Sequence, residues 1–348
     1  MTAPPTASPV SPDGPRTAAP AFSRLLRAEF ARLAARRFTR LALGLGAVGY
    51  LLAIGLIWHT HNRVNPADIA QATARRDKLI VEITDQVEKC RRGATTEQQR
   101  QECGQPPTPA DFPADEFLRN HPFLPEQVDD YALAVGVATA AAAFLLAGTF
   151  IGAEWSSKNL IAWLFWEPRR VRVMAAKLLA LLSSVLAVAV LAQVVWFAVA
   201  KLLLHYRGLP VSRTGPLAAH FWSHVVDAQL RAAPLVLVTA LIGFSLASLM
   251  RNSAAALGVA FVYFAIVENV IRVWQPDLQP YLLTTSIAAW VASKGFTVYG
   301  KPVFDQQLGY VAPRAIHISN LHGGLTLVVL AVIATGAALA VFARRDLS

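Results

Sequence analysis

Six long apolar runs, each nearly free of charge, constrain this chain more than any other feature of its sequence. They cover residues 41–58, 131–152, 173–200, 232–250, 253–271 and 323–343. A helix needs about 20 apolar residues to cross a hydrocarbon core of about 30 Å. Inside lipid every backbone polar group must be bonded within the protein, which leaves helices or closed barrels. Because the runs show no alternation of apolar and polar residues, the sequence predicts an all-α integral membrane protein with six transmembrane helices.

The net charge of +10 is distributed unevenly across the predicted membrane. With six crossings, the segments on the side of the N-terminus hold fifteen Lys and Arg and five Asp and Glu, whereas the other side holds seventeen of each. Cytoplasmic loops of membrane proteins carry an excess of Lys and Arg. We therefore expect a multi-pass protein of the plasma membrane with both termini in the cytoplasm. Anionic lipid headgroups account for the basic excess, so no nucleic-acid partner is expected.

The first forty residues divide into two parts. Residues 1–22 are rich in Pro, Ala, Ser and Thr, so we expect a disordered cytoplasmic tail. In residues 23–40, four apolar side chains recur at near-helical spacing, with six arginines among them. The four are Leu26, Phe30, Leu33 and Phe38. This pattern predicts an amphipathic helix in the cytoplasmic interface, followed by an uncleaved first span. The C-terminal tail, 344–348, is expected on the same side.

Two long segments are predicted on the other side of the membrane. Residues 59–130 contain a predicted helix that begins at Pro66 and ends near residue 92. Cys90 and Cys103 lie in the same segment, where oxidising surroundings permit a disulfide, and two free thiols are the alternative. The second segment, 272–322, includes an apolar patch at 281–292 that is too short to cross the membrane. We expect a re-entrant or interfacial helix there.

Glu268 places an acidic side chain inside the fifth apolar run. An acid costs roughly 2.5–3.5 kcal/mol at the centre of a membrane helix, and less toward an end. Arg272 follows one turn later, so a local pair that reaches the surface is one interpretation. The other is a buried polar anchor that faces the translocation path or the fourth span.

Gly148 and Gly152 form a GxxxG pattern near the end of the second run, close to the small-residue stretch Ala138–Ala143. Small residues let membrane helices approach closely. The pattern favours tight packing of the second span and implies no chemistry.

The motifs in the chain argue against catalysis. Residues 295–301 match the first seven positions of a Walker A loop, but Pro302 stands where Ser or Thr must reach magnesium. His220 and His224 would share a helix face, and only Asp227 lies near enough in sequence to join them at a zinc site. No spacing indicates a catalytic triad. We therefore expect no catalytic residue, bound cofactor or metal in this chain.

The connector between the second and third runs, residues 153–172, has a specific layout. It begins with an acid where the span ends, continues with an amphipathic stretch, and ends in Pro and basic residues before the next span. The residues concerned are Glu154, Trp155, Leu160, Leu164, Phe165, Pro168, Arg169 and Arg170, together with Lys177, which opens the third run. This layout is typical of a short surface helix, with an apolar face that a partner's groove can bind.

With this connector and its six spans, the chain resembles the permease subunits of type 2 ABC exporters. The matching residues are Gly152–Trp155, Ser156–Leu160, Pro168–Arg170, Lys177, Glu268 and the C-terminal Phe342–Asp346. The resemblance covers about residues 23–348. It implies that a separate ATPase subunit binds ATP and magnesium, and that residues 155–170 form the coupling helix that contacts it. It also implies that two permease copies, identical or different, frame the pathway.

Two other functions stay open. A secondary transporter driven by an ion gradient usually has paired broken helices and several intramembrane charges, whereas here Glu268 is the one candidate. A membrane-embedded enzyme or a scaffold is the third possibility, and the missing catalytic constellation disfavours the enzyme. Copurification with an ATP-binding partner distinguishes the permease from both.

Overall fold

The computed structural model of the chain describes residues 22–119, 121–157, 169–208, 220–292, 294–305 and 310–344. Within these ranges, six helices are long and apolar enough to cross a membrane. They are α2 (Arg37–Thr60), α5 (Pro125–Ser156), α6 (Arg170–Arg207), α7 (Phe221–Met250), α8 (Ser253–Trp274) and α10 (Asn320–Arg344). The other α-helices and strands are α1 (Phe22–Ala35), α3 (Pro66–Gly93), α4 (Glu97–Glu102), α9 (Leu283–Val291), β1 (Phe296–Asp305) and β2 (Tyr310–Ile318). Two short 3-10 helices cover Ala114–Phe117 and Pro276–Tyr281. The chain is a multi-pass, mainly helical membrane protein.

Most of these helices extend past the apolar runs that predict them. α6 has 38 residues, about 57 Å at 1.5 Å per residue, well beyond a hydrocarbon core of about 30 Å. Apolar composition marks the part of a helix that lipid surrounds. Helical hydrogen bonding continues into polar sequence until a cap or a break ends it.

α7 is the central helix of the bundle, with contacts to α5, α6, α8, α9 and α10. The close approach of α5 to the start of α8 depends on Gly152, because a Cβ there would lie 2.6 Å from the backbone N of Ser253. At Gly148 the nearest atoms would lie 3.7 Å from a Cβ, an ordinary contact. Of the two glycines in the GxxxG pattern, only Gly152 is therefore needed for close packing. α2, by contrast, is mostly exposed.

The segment between α8 and α10 departs from the all-α prediction. It contains the expected short helix, α9, but an antiparallel hairpin of β1 and β2 follows. β-branched and aromatic residues such as Val298, Tyr299 and Ile316 favour strands. The register is irregular next to Pro302, which pairs with Pro313. Proline has no N–H for the ladder, so irregular edge positions suit it.

The N-terminal region contains two helices where the sequence predicts one over 23–40. Arg36 separates α1 from α2 with an extended backbone, ψ 130°. α1 packs against α6, and its buried residues are Leu25, Glu29 and Leu33. The expected apolar stripe is therefore displaced, since Phe30 is 37% exposed and Phe38 is 47% exposed. The buried face of α1 includes the acid Glu29, which hydropathy would place on the exposed face.

The segment between α2 and α5 is helical and cross-linked. A capping box of Asn65 and Asp68 begins α3, and a disulfide joins Cys90 to Cys103, as the sequence predicts. Farther along, the backbone N–H and hydroxyl of Thr108 both donate to Asp111. These bonds lower the pKa of the Asp111 carboxyl below its usual value.

Candidate functional site

A buried group of charged side chains lies where α5 ends and α6 begins. Lys177, about two turns into α6, is completely buried. Its Nζ lies 2.8 Å from Oε2 of Glu29 in α1 and 2.7 Å from Oε2 of Glu154 in the last turn of α5. One ammonium group therefore joins three helices. This end of the bundle, with α1 and the α7–α8 turn, is termed the N-terminal face.

Arg36, the residue between α1 and α2, completes the group. Its guanidinium donates to Oε1 of Glu154 at 2.7 Å and to the carbonyl of Phe150 at 2.6 Å. The same guanidinium lies 4.5 Å from the centre of the Phe150 ring, within the range of a cation–π contact. Each carboxylate oxygen of Glu154 thus binds a different cation. Glu29, Arg36, Glu154 and Lys177 are termed the ionic cluster.

The charges of the ionic cluster balance, with two carboxylates and two cations. At its edge Arg32 donates to the second oxygen of Glu29 at 2.9 Å. Moving an ion out of water costs several kcal/mol, and good pairing is needed to offset this cost. Removing one partner of a buried pair costs about 3–5 kcal/mol because a charge is left uncompensated. The ionic cluster therefore holds α1, α5 and α6 in one arrangement.

Two residues predicted to contact a partner subunit belong to this cluster. The charged atoms of Glu154 and Lys177 are bonded within the chain, because α1 folds over this end of the bundle. Arg169 is exposed before α6, and Arg170 is its first residue. The predicted apolar anchors and the proline lie outside the described residues: Leu160, Leu164, Phe165 and Pro168. Contact between this connector and an ATPase stays a prediction.

Trp155 connects the same turn of α5 to the other side of the N-terminal face. Its ring lies 4.9 Å from the guanidinium of Arg251 and 5.8 Å from the ring of Phe342 in α10. Arg251 forms the α7–α8 turn with a φ of 53°, a left-handed conformation that is uncommon outside glycine. Among the described residues, the buried Trp155 Nε1 has no hydrogen-bond partner. Adjacent residues at the end of α5 thus contact α1, α6, α10 and the α7–α8 turn.

Glu268 occupies a second polar site, near the far end of α8. Its carboxylate accepts hydrogen bonds from the backbone N of Thr284, at 3.1 Å, and from the Thr284 hydroxyl. Arg272 lies 3.6 Å away, so the expected i,i+4 pair is present. The carboxylate is also buried, and it caps the start of α9. Among the described residues, no hydrogen bond or ion pair joins it to the fourth span, α7. Of the two orientations expected for a buried anchor, the one toward α7 is therefore not seen, and the one toward a translocation path stays a prediction.

α9 is also held at its other end. Asn320, the first residue of α10, donates to the carbonyl of Ala289 at 2.8 Å. Trp290 Nε1 donates to the carbonyl of Arg231 in α7 at 2.9 Å. A π-helical turn, Tyr263–Val267, directly precedes Glu268 in α8. Such turns often occur at functional sites, so the junction of α8 and α9 is the second candidate region.

The structure gives no support to the weaker motifs. Residues 296–301 of the Walker-like stretch belong to strand β1, whereas a phosphate loop must lead into a helix. His220 and His224 are exposed at the start of α7. Among the described residues, no three His, Cys, Asp or Glu side chains are grouped to hold a metal ion.

Sequence reasoning missed three residues of these sites, Glu29, Arg36 and Thr284. In the sequence, Glu29 and Arg36 are distinguished only as charges of the N-terminal region. One signal was available for Glu29, because it is the single acid in a helix with Arg24, Arg27 and Arg32. For Thr284 no signal exists without knowing that α9 begins beside α8.

Comparison of the chain with protein-family models and with curated proteins finds no match in either. The class of the protein is therefore defined by its six apolar helices alone. Its function has to be argued from the two polar sites.

Proposed function

We propose that this chain is the permease subunit of an ABC transporter, an exporter of the plasma membrane, and that it forms the translocation pathway with a second permease. The observation that supports this most is the set of contacts at the last turn of α5. Glu154 binds Lys177 at 2.7 Å and Arg36 at 2.7 Å, and Trp155 contacts Arg251 and Phe342. A partner that moves the following connector would move several helices at once.

The proposed coupling has a direct physical basis. The ATPase subunit would bind ATP and magnesium. Because Trp155 and Ser156 belong to α5 and Arg170 begins α6, the predicted coupling helix is confined to the segment between them, which would enter the groove of the ATPase. Because this segment follows directly after α5 in the chain, displacing it would also displace the end of α5. Separating the members of the buried ionic cluster would leave uncompensated charges. α1 and α6 would therefore move together with α5. Conformational coupling needs such rigid, packed elements between two sites.

The apolar residues of the connector, Leu160, Leu164 and Phe165, would supply the binding energy for the partner. Truncation of a central apolar anchor commonly costs 2 kcal/mol or more, about thirtyfold in affinity. We expect Leu164→Ala with Phe165→Ala to release the ATPase in copurification and to uncouple its activity from substrate. The protein should keep wild-type thermal stability, because the six spans are unchanged.

A matched control removes the same two residue types from exposed span positions. Leu56 is 65% exposed and Phe261 is 70% exposed, so Leu56→Ala with Phe261→Ala should retain the ATPase. Retention of the ATPase at the wild-type level by the connector variant would contradict the coupling assignment. Transport by the purified chain alone in a proton gradient would instead establish a secondary transporter.

A further inference from the structure

The exposed charge of the N-terminal face is positive throughout the part of this face that the structure describes. Its two acids there, Glu29 and Glu154, are buried in the ionic cluster. The exposed basic residues of the face are Arg24, Arg27, Arg37, Arg40, Arg169, Arg251 and Arg344. Folding therefore removes negative charge from this surface and leaves guanidinium groups on it.

α1 presents opposite chemistry on its two sides. Leu25, Glu29 and Leu33 face α6 and are buried. At 100° per residue, Arg24 and Arg27 fall on the side away from these residues, and both are exposed. Phe30 is 37% exposed. The side of α1 that does not pack on the bundle therefore combines arginines with an aromatic ring.

The start of α2 continues this combination. Arg37 and Arg40 are exposed, while Phe38 and Leu41 are 47% and 64% exposed. The Arg40 guanidinium also donates to the carbonyl of Ala35, the last residue of α1, at 2.7 Å. This bond ties the arginines of α2 to the end of α1.

We propose that Arg24, Arg27, Arg37 and Arg40 form a binding surface for the headgroups of anionic phospholipids. Guanidinium groups bind phosphate oxygens in a bidentate way. Exposed apolar side chains between the arginines suit the boundary of headgroup and acyl chain, where amphipathic helices lie. A soluble anion would leave those side chains in water. The proposal rests on membrane placement and holds whether or not the chain is a permease.

The test uses the purified full-length protein in detergent, titrated with dansyl-phosphatidylglycerol and separately with dansyl-phosphatidylcholine. Energy transfer from the tryptophans reports binding. We expect the wild type to prefer the anionic lipid by about tenfold or more, since each basic residue at an anionic surface contributes about fivefold. Replacing the four arginines with Gln should abolish the preference, and replacing them with Lys should keep most of it.

A control variant removes four exposed charges away from this face: Arg63→Gln, Lys78→Gln, Arg119→Gln and Lys294→Gln. It should keep the wild-type preference, which separates a local surface from net charge. The proposal is overturned if the Gln variant of the four arginines still prefers phosphatidylglycerol, or if the control loses the preference equally. It is also overturned if inorganic phosphate at the same concentration displaces the lipid, because the surface would then bind a free anion.

Discussion

The Nζ of Lys177 lies 2.8 Å from the carboxylate of Glu29, although 148 residues separate them in the sequence. Both side chains are completely buried. This pair makes α1 part of the helical bundle, in contact with α6, whereas the sequence pattern alone indicates a helix that lies on lipid. Any movement of α6 therefore involves α1.

Replacement of Lys177 with Met should destabilise the protein by about 3–5 kcal/mol, because Glu29 and Glu154 each lose a buried partner. Thermal unfolding in detergent measures the effect. The control is Lys89→Met, since the pair of Lys89 with Asp85 is exposed and such pairs contribute only about 0–1 kcal/mol. Equal effects of the two substitutions would contradict the role of the ionic cluster.

Replacement of Gly152 with Ala should destabilise the bundle by about 1–3 kcal/mol, the usual cost of overpacking. The added Cβ would lie 2.6 Å from Ser253 N, and backbone cannot move aside as a side chain can. Gly148→Ala makes the same change one turn away without a clash. We expect its unfolding temperature to stay close to that of the wild type. The reverse order of stability would show that α5 and α8 are not this close.

Glu268→Gln should leave membrane insertion intact, since the change removes a charge from a span. It should weaken the cap of α9, because a neutral acceptor binds the Thr284 N–H less strongly than a carboxylate. Hydrogen exchange at the Thr284 amide should rise, and transport should fall if the α8–α9 junction is part of the pathway. Glu268→Leu, which has no acceptor, should give a larger effect. Wild-type exchange and transport in both variants would reduce Glu268 to a local pair with Arg272.

Cys90 and Cys103 should resist alkylation in intact cells until a reductant is added. In the chain-entropy model, a bridge that closes a loop of about 15 residues contributes about 3 kcal/mol. Cys90→Ser with Cys103→Ser should therefore make α3 and α4 more sensitive to protease. Free labelling of either cysteine in untreated cells would exclude the bridge. Labelling that requires opening the cells would reverse the predicted orientation.

The sequence predicted the features that depend on the composition of one continuous segment, such as the six spans. Apolar run length fixes which segments can cross lipid, so the six spans were found, although their ends were not. The α3 helix was predicted from Pro66 at its start, and the disulfide from the position of both cysteines in a segment with oxidising surroundings. Strands β1 and β2 were not predicted, because the hydropathy of a segment does not distinguish strand-forming residues such as Val298 and Ile316 from other apolar residues.

Only the tertiary structure decided which charges are buried and what they bind. In the sequence Glu29 is one charge among the arginines of α1 and Lys177 is a predicted partner contact, yet the packing of α1 on α6 buries both. The sequence leaves open whether Glu268 pairs with Arg272 or faces a translocation path or the fourth span, and it gives no sign that the chain places α9 beside this carboxylate. Hydropathy is a property of each residue and adds along the chain. Ion pairing depends on distances of a few ångströms between helices, which close contacts such as that of Gly152 with Ser253 determine.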